Sequence, residues 1–285
     1  MHFSLVLSTL GRTDEVERFL TSLAAQTHRN FDLSVVDQNP DDRLVPLLER
    51  HQGSFTINHL RRPDERGLSK ARNVGLQHIG EGVVTCPDDD CWYPPELLEQ
   101  VSEYLEKYPD VDGVSGQTIS DPLKLPPGTG QPLMKGDRIG RPFGVMKVPG
   151  MWALFLRFPA VRSVGEFDES LGVGAGTPWG AGEDTDYYLR LLKAGFSLYL
   201  DQNIVVFHPS ANNEMVMNRD LARSYRYGAG ATRVWRRHRL PLWFFLYQLL
   251  RSFGSAWLNL LKGRRSHARW HWGAFRGKLM GWFAR

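Results

Sequence analysis

Three consecutive carboxylates, Asp88, Asp89 and Asp90, follow the apolar run GVVTC (82–86) in the segment CPDDDC. Adjacent anions repel one another, so such a cluster is costly unless a cation neutralises it. Aspartate oxygens at positions i and i+2 suit Mg2+ or Mn2+ that is also ligated by a diphosphate. A solvated acidic turn, capping the helix that Pro94-Pro95 opens, is the plainer alternative. A second acidic group, Glu183, Asp184 and Asp186, follows a Gly-rich loop bearing Trp179. At a helix N-terminus, backbone N–H groups and the helix dipole keep a carboxylate ionised and able to accept a proton. Helix capping accounts for the same residues without chemistry. Arg61, Arg62, Arg66, Lys70 and Arg72 surround Gly67 in RRPDERGLSKARNVGL, either facing a nucleotide's base or phosphates or forming a solvated basic face. Thr9, in LSTLGR, and Asp37, in VVDQNPDD, end apolar runs. A hydroxyl and a carboxylate suit a base and ribose better than a phosphate, and both types also serve in turns.

Short β-branched or apolar runs alternate with amphipathic segments through the first hundred residues, the pattern of βα units on a mostly parallel sheet. Strands are expected at 3–9, 31–37, 55–60 and 82–86. Helices are expected from Asp14 as N-cap, over 42–51, after Gly67 with Ser69 near its start, and after Pro94-Pro95. The carboxylates of 88–90 then fall at the C-terminal end of a parallel strand, where open α/β sheets bind ligands. Thr9 and Asp37 fall at the same edge. Residues 120–150 are rich in Gly and Pro and lack periodicity; they read as one long loop, facing an acceptor, acting as a lid, or simply disordered. Strand character returns at 151–158, and GEDTDYYLRLLKAGF reads as an acid-started helix ending at Gly195.

The chain has 285 residues and a net charge of +4, unevenly spread. Residues 213–285 carry 15 of the 35 Lys and Arg but only 2 of the 31 Asp and Glu, a local net charge of +13 that leaves −9 on the first 212. Six of the nine tryptophans lie in that basic tail, so we expect two regions, 1–212 and 213–285, with different surroundings. In LWFFLYQLLRSFGSAWLNLL (242–261) and the residue after it, Gln248, Arg251, Ser252, Ser255, Asn259 and Lys262 recur at helical spacing as a polar stripe. Trp243, Leu246, Tyr247, Leu250, Phe253, Trp257, Leu260 and Leu261 form the opposite face. An arginine facing lipid at mid-span costs at least about 2.5 kcal/mol, so a helix lying in the membrane interface is favoured over a span. Its arginine-rich flanks then meet anionic headgroups, each charge contributing on the order of 1 kcal/mol. Packing of the apolar face on protein is the alternative reading. Cys86 and Cys91 are too few for a disulfide framework or a four-ligand zinc site and fit a reducing cytosol. The N-terminus lacks the features of a signal peptide. No recognised nucleic-acid module is present. A cytoplasmic protein, peripheral on the inner face of the cytoplasmic membrane, is expected.

In this order, LSTLGR, VVDQNP, RGLSKARNVGL, CPDDDC and FDESLG followed by GEDTDYYLRLLKAG resemble family 2 of the glycosyltransferases across residues 1–212. The resemblance implies an α/β GT-A fold, a Rossmann-like mixed sheet, with the helical basic aromatic extension appended. It implies an inverting, metal-dependent transferase using Mn2+ or Mg2+, a nucleotide-diphosphate sugar donor, and a saccharide or lipid-linked acceptor in cell-surface polysaccharide biosynthesis. Asp88 and Asp90 become the outer residues of the DxD metal site, with Asp90 the direct ligand and Asp88 and Asp89 beside the nucleotide sugar. Thr9, Asp37 and Arg72 contact the nucleoside, and Asp184, paired with Glu183, is the catalytic base. His208, ending the apolar run VVF, is a further metal or diphosphate ligand by the same resemblance, or a structural strand-end histidine. Residues 119–151 match no family pattern. A non-catalytic sugar-nucleotide-binding scaffold at the membrane is the competing reading. A nucleotidyltransferase would carry a Gly-rich phosphate loop after the first strand, where LSTLGRTDEV has only Gly11.

Overall fold

A computed structural model describes residues 1–124, 134–141, 143–209 and 221–284. They form two compact units, the first comprising Met1–Arg66, Lys70–Phe167 and Tyr187–Pro209, the second Gly67–Ser69, Asp168–Asp186 and the C-terminal helices. The boundary expected at 212 lies outside the described residues, as do positions 125–133 and 142 of the long loop.

The first unit is built on eight strands: β1 (Phe3–Thr9), β2 (Phe31–Asp37), β3 (Thr56–Arg61), β4 (Val83–Thr85), β5 (Gly113–Ile119), β6 (Asp137–Arg138), β7 (Leu154–Arg157) and β8 (Leu198–Phe207). Their order in the sheet is β3-β2-β1-β4-β7-β5-β8-β6. The apolar runs foreseen at the N-terminus pair in parallel, β1 with β2 and β4, and β2 with β3. Every residue of β1 is buried, the mark of a central strand covered on both faces. Helix α1 (Asp14–Ala24) lays Val16, Phe19, Leu20 and Leu23 on the sheet. This i, i+3, i+4, i+7 spacing forms one apolar face, and each such side chain contributes about 1.5–3 kcal/mol on burial. Helices α2 (Val45–His51), α3 (Leu68–Leu76), α4 (Leu97–Lys107), α5 (Phe158–Val164) and α6 (Glu183–Lys193) follow.

Several boundaries shift from expectation. Thr13, rather than Asp14, occupies the N-cap of α1. Pro94 and Pro95 lie ahead of α4, whose N-cap is Glu96. Met151–Ala153 form a 3-10 turn before the shorter strand β7. That strand enters antiparallel between β4 and β5, which makes the sheet mixed. β5 carries little apolar alternation because Gly113 and Gly116 replace side chains that would strike Leu156 and Ile204. Part of the long loop is ordered: β6 pairs with β8, and Tyr104 donates to the Lys135 carbonyl at 2.6 Å.

The second unit contains α7 (Leu221–Arg237), α8 (Leu242–Leu261) and α9 (Arg265–Phe283). α7 and α9 cross at backbone contact, since a Cβ on Gly277 or Gly281 would meet the carbonyl of Tyr225 or Ala229. α8 packs through Phe244, Phe245, Gln248, Ser252 and Ala256, with Phe245 stacked on Trp282 at 4.2 Å. The polar stripe of α8 is therefore not left in water as a whole. Gln248 and Ser252 are buried, because Lys278 of α9 donates to the Gln248 carbonyl at 2.9 Å and to Ser252 Oγ at 2.7 Å. Trp243, Leu246, Tyr247, Leu250, Phe253 and Trp257, on the opposite side, are exposed.

Burial, with the charge of Arg251 adding to it, pushes the Lys278 ammonium down to about 8. Between that value and the ordinary lysine range the unfolded chain binds the proton that the folded chain lacks, so this residue's contribution to stability rises with pH. We predict that the stability of wild type relative to Lys278→Met increases from pH 7.5 to 9.5, read by urea denaturation at both values. A difference that is flat or falls with pH would show that the ammonium is not penalised by its surroundings.

Candidate functional site

The C-terminal edge of the parallel strands gathers the chemistry. β1 ends at Thr9 directly across from Asp37, the end of β2, and Ser8 bridges in parallel to Asp88 just beyond β4. β8 approaches the same place from the other half of the sheet: Phe207 bridges to Trp92, and His208 N–H donates to the Ile119 carbonyl at 3.0 Å. The mixed sheet thus brings His208 to the aspartate triplet, although 117 positions separate it from Cys91.

Four side chains meet the oxygens of the triplet, two of them reaching two carboxylates each. Arg72 donates to Asp88 Oδ1 at 3.0 Å, Thr9 to Asp89 Oδ2 at 2.8 Å, and Arg12 to Asp89 Oδ1 at 2.5 Å and Asp90 Oδ2 at 2.7 Å. His208 Nε2 lies 3.1 Å from Asp90 Oδ1 and 3.7 Å from Asp88 Oδ2. Burial pushes the Asp89 carboxyl up to about 6 against the charge of Arg12. Asp90 is also partly buried, but its bond to His208 and the charges of His208 and Arg12 outweigh that and hold it below the usual range. Burial alone would lower His208; its bonds to Asp88 and Asp90 dominate and lift it to about 10.

One face of this cluster offers two carboxylate oxygens and an imidazole nitrogen, from Asp88, Asp90 and His208, all within 4.8 Å of one another. The donors fit Mn2+ or Mg2+. His208 is oriented for the task, because its Nδ1 lies 2.8 Å from the Pro209 carbonyl; donation there turns Nε2 to the carboxylates, where a bound ion would take the place of its proton. Trp152 stacks on the imidazole at 4.7 Å.

Asp37 is fully buried and accepts from Asn39 N–H and Asn39 Nδ2 at 2.8 Å, with His59 Nε2 at 3.0 Å. Of the basic segment, Arg72 alone reaches the triplet, and it is only 1% exposed. Arg61 turns to Asp42, Lys70 to Glu65 and Arg66 to backbone carbonyls. Arg12, Arg18, Asn39, His59 and Trp152 were not singled out from sequence. Only Arg12 carried a usable signal, a guanidinium three residues past Thr9 on the other side of Gly11.

In the second unit, Glu183, Asp184 and Asp186 open α6 as expected. Gly172, at φ +97°, leaves room for the Glu183 carboxyl, which a Cβ there would contact at 3.1 Å. Asp186 is clamped by His238 at 2.7 Å, both side chains being buried, so it braces the helix start, while Asp184 stays partly exposed. His238 had no sequence signal, being set by the path of α7.

Since Asp90 helps to hold the proton on His208, Asp90→Asn should move the histidine's titration down toward its ordinary value. NMR of the imidazole resonances in metal-free protein checks this, and an unmoved titration would remove the pairing of the two groups.

Residues 4–160 match glycosyl transferase family 2. A protein of Haemophilus influenzae named an uncharacterized glycosyltransferase is 31% identical over 110 residues, covering 38% of this chain and 36% of that protein; the chain thus spans about a third of that relative's length. The amylovoran biosynthesis glycosyltransferase AmsE of Erwinia amylovora is 25% identical over 203 residues, 68% of this chain and 70% of that one. Among solved structures, the mannosyltransferase PcManGT from Pyrobaculum calidifontis, in complex with GDP-Man and Mn2+, superposes with a TM-score of 0.66 at 14% identity over 100% of this chain and 88% of that chain. S. aureus TarS 1-349 in complex with UDP-GlcNAc gives 0.59 at 13% identity over 100% and 93%. With more than half its length matched and the mixed sheet, acidic edge and helical C-terminal part in place, the chain belongs to glycosyl transferase family 2 and carries the GT-A fold.

Proposed function

We propose that the chain moves a sugar from a nucleotide-diphosphate donor to a hydroxyl of a saccharide or lipid-linked acceptor, with inversion, during cell-surface polysaccharide assembly. The observation that carries this reading is the convergence of Asp88, Asp90 and His208 at the sheet edge. These three residues would hold Mn2+ or Mg2+, with Asp90 as a direct ligand. A bound divalent ion stabilises the negative charge that develops on a departing diphosphate. Mn2+ in the PcManGT complex and the sugar nucleotides bound by PcManGT and TarS support the assignment, and the name of AmsE supports polysaccharide synthesis.

The chain's own residues divide the remaining work. Thr9 and Asp37 line the nucleoside side of the edge, with Asp37 held rigid by Asn39 and His59. Arg72 supports the donor through Asp88, and Asp89 anchors the loop to Thr9 and Arg12. Asp184 takes the proton from the acceptor hydroxyl, beside Glu183. In a single displacement that is sufficient, and no enzyme nucleophile is required.

The acceptor's membrane setting is supported by the exposed apolar side of α8, by the absence of any acidic residue in 221–284, and by the exposed Arg251, Lys262, Arg264, Arg265 and Arg269. No described helix is long and apolar enough to cross a membrane. The α8 face therefore suits a place at the cytoplasmic membrane's inner, anionic surface.

Sugar transfer from a panel of UDP- and GDP-sugars tests the chemistry. Asp90→Ala should lower metal-stimulated turnover by about a hundredfold or more, and Asp184→Asn should lower kcat by about 10²- to 10⁴-fold with donor KM little changed. Nucleotide binding without transfer or hydrolysis in wild type would favour the scaffold reading instead. For the membrane, the full chain should float with liposomes rich in phosphatidylglycerol and lose this on replacing Trp243, Leu250 and Trp257 by Ser; failure of wild type to float at low salt would exclude the interfacial role.

A further inference from the structure

Arg12 is distinguished from the other cations of the triplet by its access to solvent. Arg72 is sealed in the fold at 1% exposure, where it donates to Asp88. The Arg12 side chain is 38% exposed and reaches both Asp89 and Asp90 through Nη1. A guanidinium has five N–H donors in a planar fork matched to phosphate oxygens. The turn that carries Arg12 is fixed: Gly11, at φ +81°, donates its N–H to Asn39 Oδ1 at 2.7 Å. The chain beyond it is pinned as well, with Arg18 donating to the Asp90 carbonyl at 2.8 Å and lying over the Trp92 ring at 4.0 Å. The side chain of Arg12 can therefore swing while its backbone stays beside the acidic edge.

Arg12 bonds Asp90 Oδ2, whereas the oxygen that faces His208 and the candidate ion position is Asp90 Oδ1. A divalent ion arriving alone must share one carboxylate with a guanidinium, and at such separations like charges repel appreciably even at protein-surface dielectric. A diphosphate reverses the balance. Its oxygens attract the guanidinium off the carboxylates and return their charge to the ion.

We propose that Arg12 couples divalent-ion binding to nucleotide-diphosphate binding: it is the internal counter-cation of Asp89 and Asp90 in the free protein and a diphosphate contact once the donor is present. The proposal rests on the metal-dependent reading above and adds a residue and an order of events to it. In the free protein Arg12 opposes the ion, and with a diphosphate bound it no longer does. Binding couplings are reciprocal, so the ion and the nucleotide each report it.

The test is calorimetric titration of wild type, Arg12→Gln and Arg12→Lys. Mn2+ is titrated without nucleotide, and UDP and GDP are titrated in EDTA and in saturating Mn2+. For Arg12→Gln, Mn2+ alone should bind about tenfold more tightly than to wild type. The gain in nucleotide affinity that Mn2+ confers should shrink by a similar factor. Arg12→Lys keeps the charge and should stay near wild type for Mn2+ alone. Unchanged or weaker Mn2+ binding by Arg12→Gln overturns the proposal while leaving the metal site intact, as does Arg12→Lys behaving like Arg12→Gln. Absence of Mn2+ binding by wild type, with and without nucleotide, overturns the metal reading and this inference together.

Discussion

Mutual repulsion among Asp88, Asp89 and Asp90 is the constraint around which the first unit is arranged. Partly buried carboxylates this close are tolerated only when each is compensated. The fold supplies each carboxylate with a partner, from the turn after β1, from α3 and from the end of β8, with Arg12 and His208 each serving two of them. These segments are far apart in the chain, so the triplet is stable only where the whole sheet is assembled. Two oxygens and His208 Nε2 share one face, and the remaining oxygens are held elsewhere.

The sheet performs this assembly through its mixed topology. Parallel β1, β2 and β4 align the ends Thr9 and Asp37 with the loop after β4, because parallel strands present all their C-termini to one edge. The antiparallel β7 is inserted beside β4, and β5 and β8 resume parallel pairing beyond it. β8 consequently ends at the same edge as β1 and delivers His208. The bridge between Phe207 and Trp92, stacked at 5.5 Å, locks that strand end to the acidic loop.

The second unit resolves a different conflict. α8 has an apolar face too large for its two neighbours to cover, and a polar stripe too long to face them without partners. Packing places Gln248 and Ser252 inward, where Lys278 bonds to Ser252 and to the Gln248 carbonyl, and turns the tryptophans and leucines outward. Large exposed apolar patches of this kind mark interaction surfaces. The glycines of α7 and α9 allow those two helices to approach closely enough to bury the backbone contact that supports α8.

The N-terminal βα units, the acidic edge and the acid-started helix at Glu183 were legible in the sequence because their signals are local: β-branched runs, 3.6-residue periodicity and adjacent carboxylates. The family pattern was legible for the same reason. β5 escaped notice because its glycines serve close packing rather than alternation, and the antiparallel insertion of β7 has no local signature. The partners of the triplet were decided by tertiary structure alone. Arg12 and His208 are assigned to different oxygens of Asp90 by the path of β8 and the turn at Gly11, and Asp186 is claimed by His238, 52 residues away in the turn that follows α7. Sequence fixes which groups carry charge; which oxygen each cation meets depends on distances of a few ångströms, and those are set only when the strands are in register.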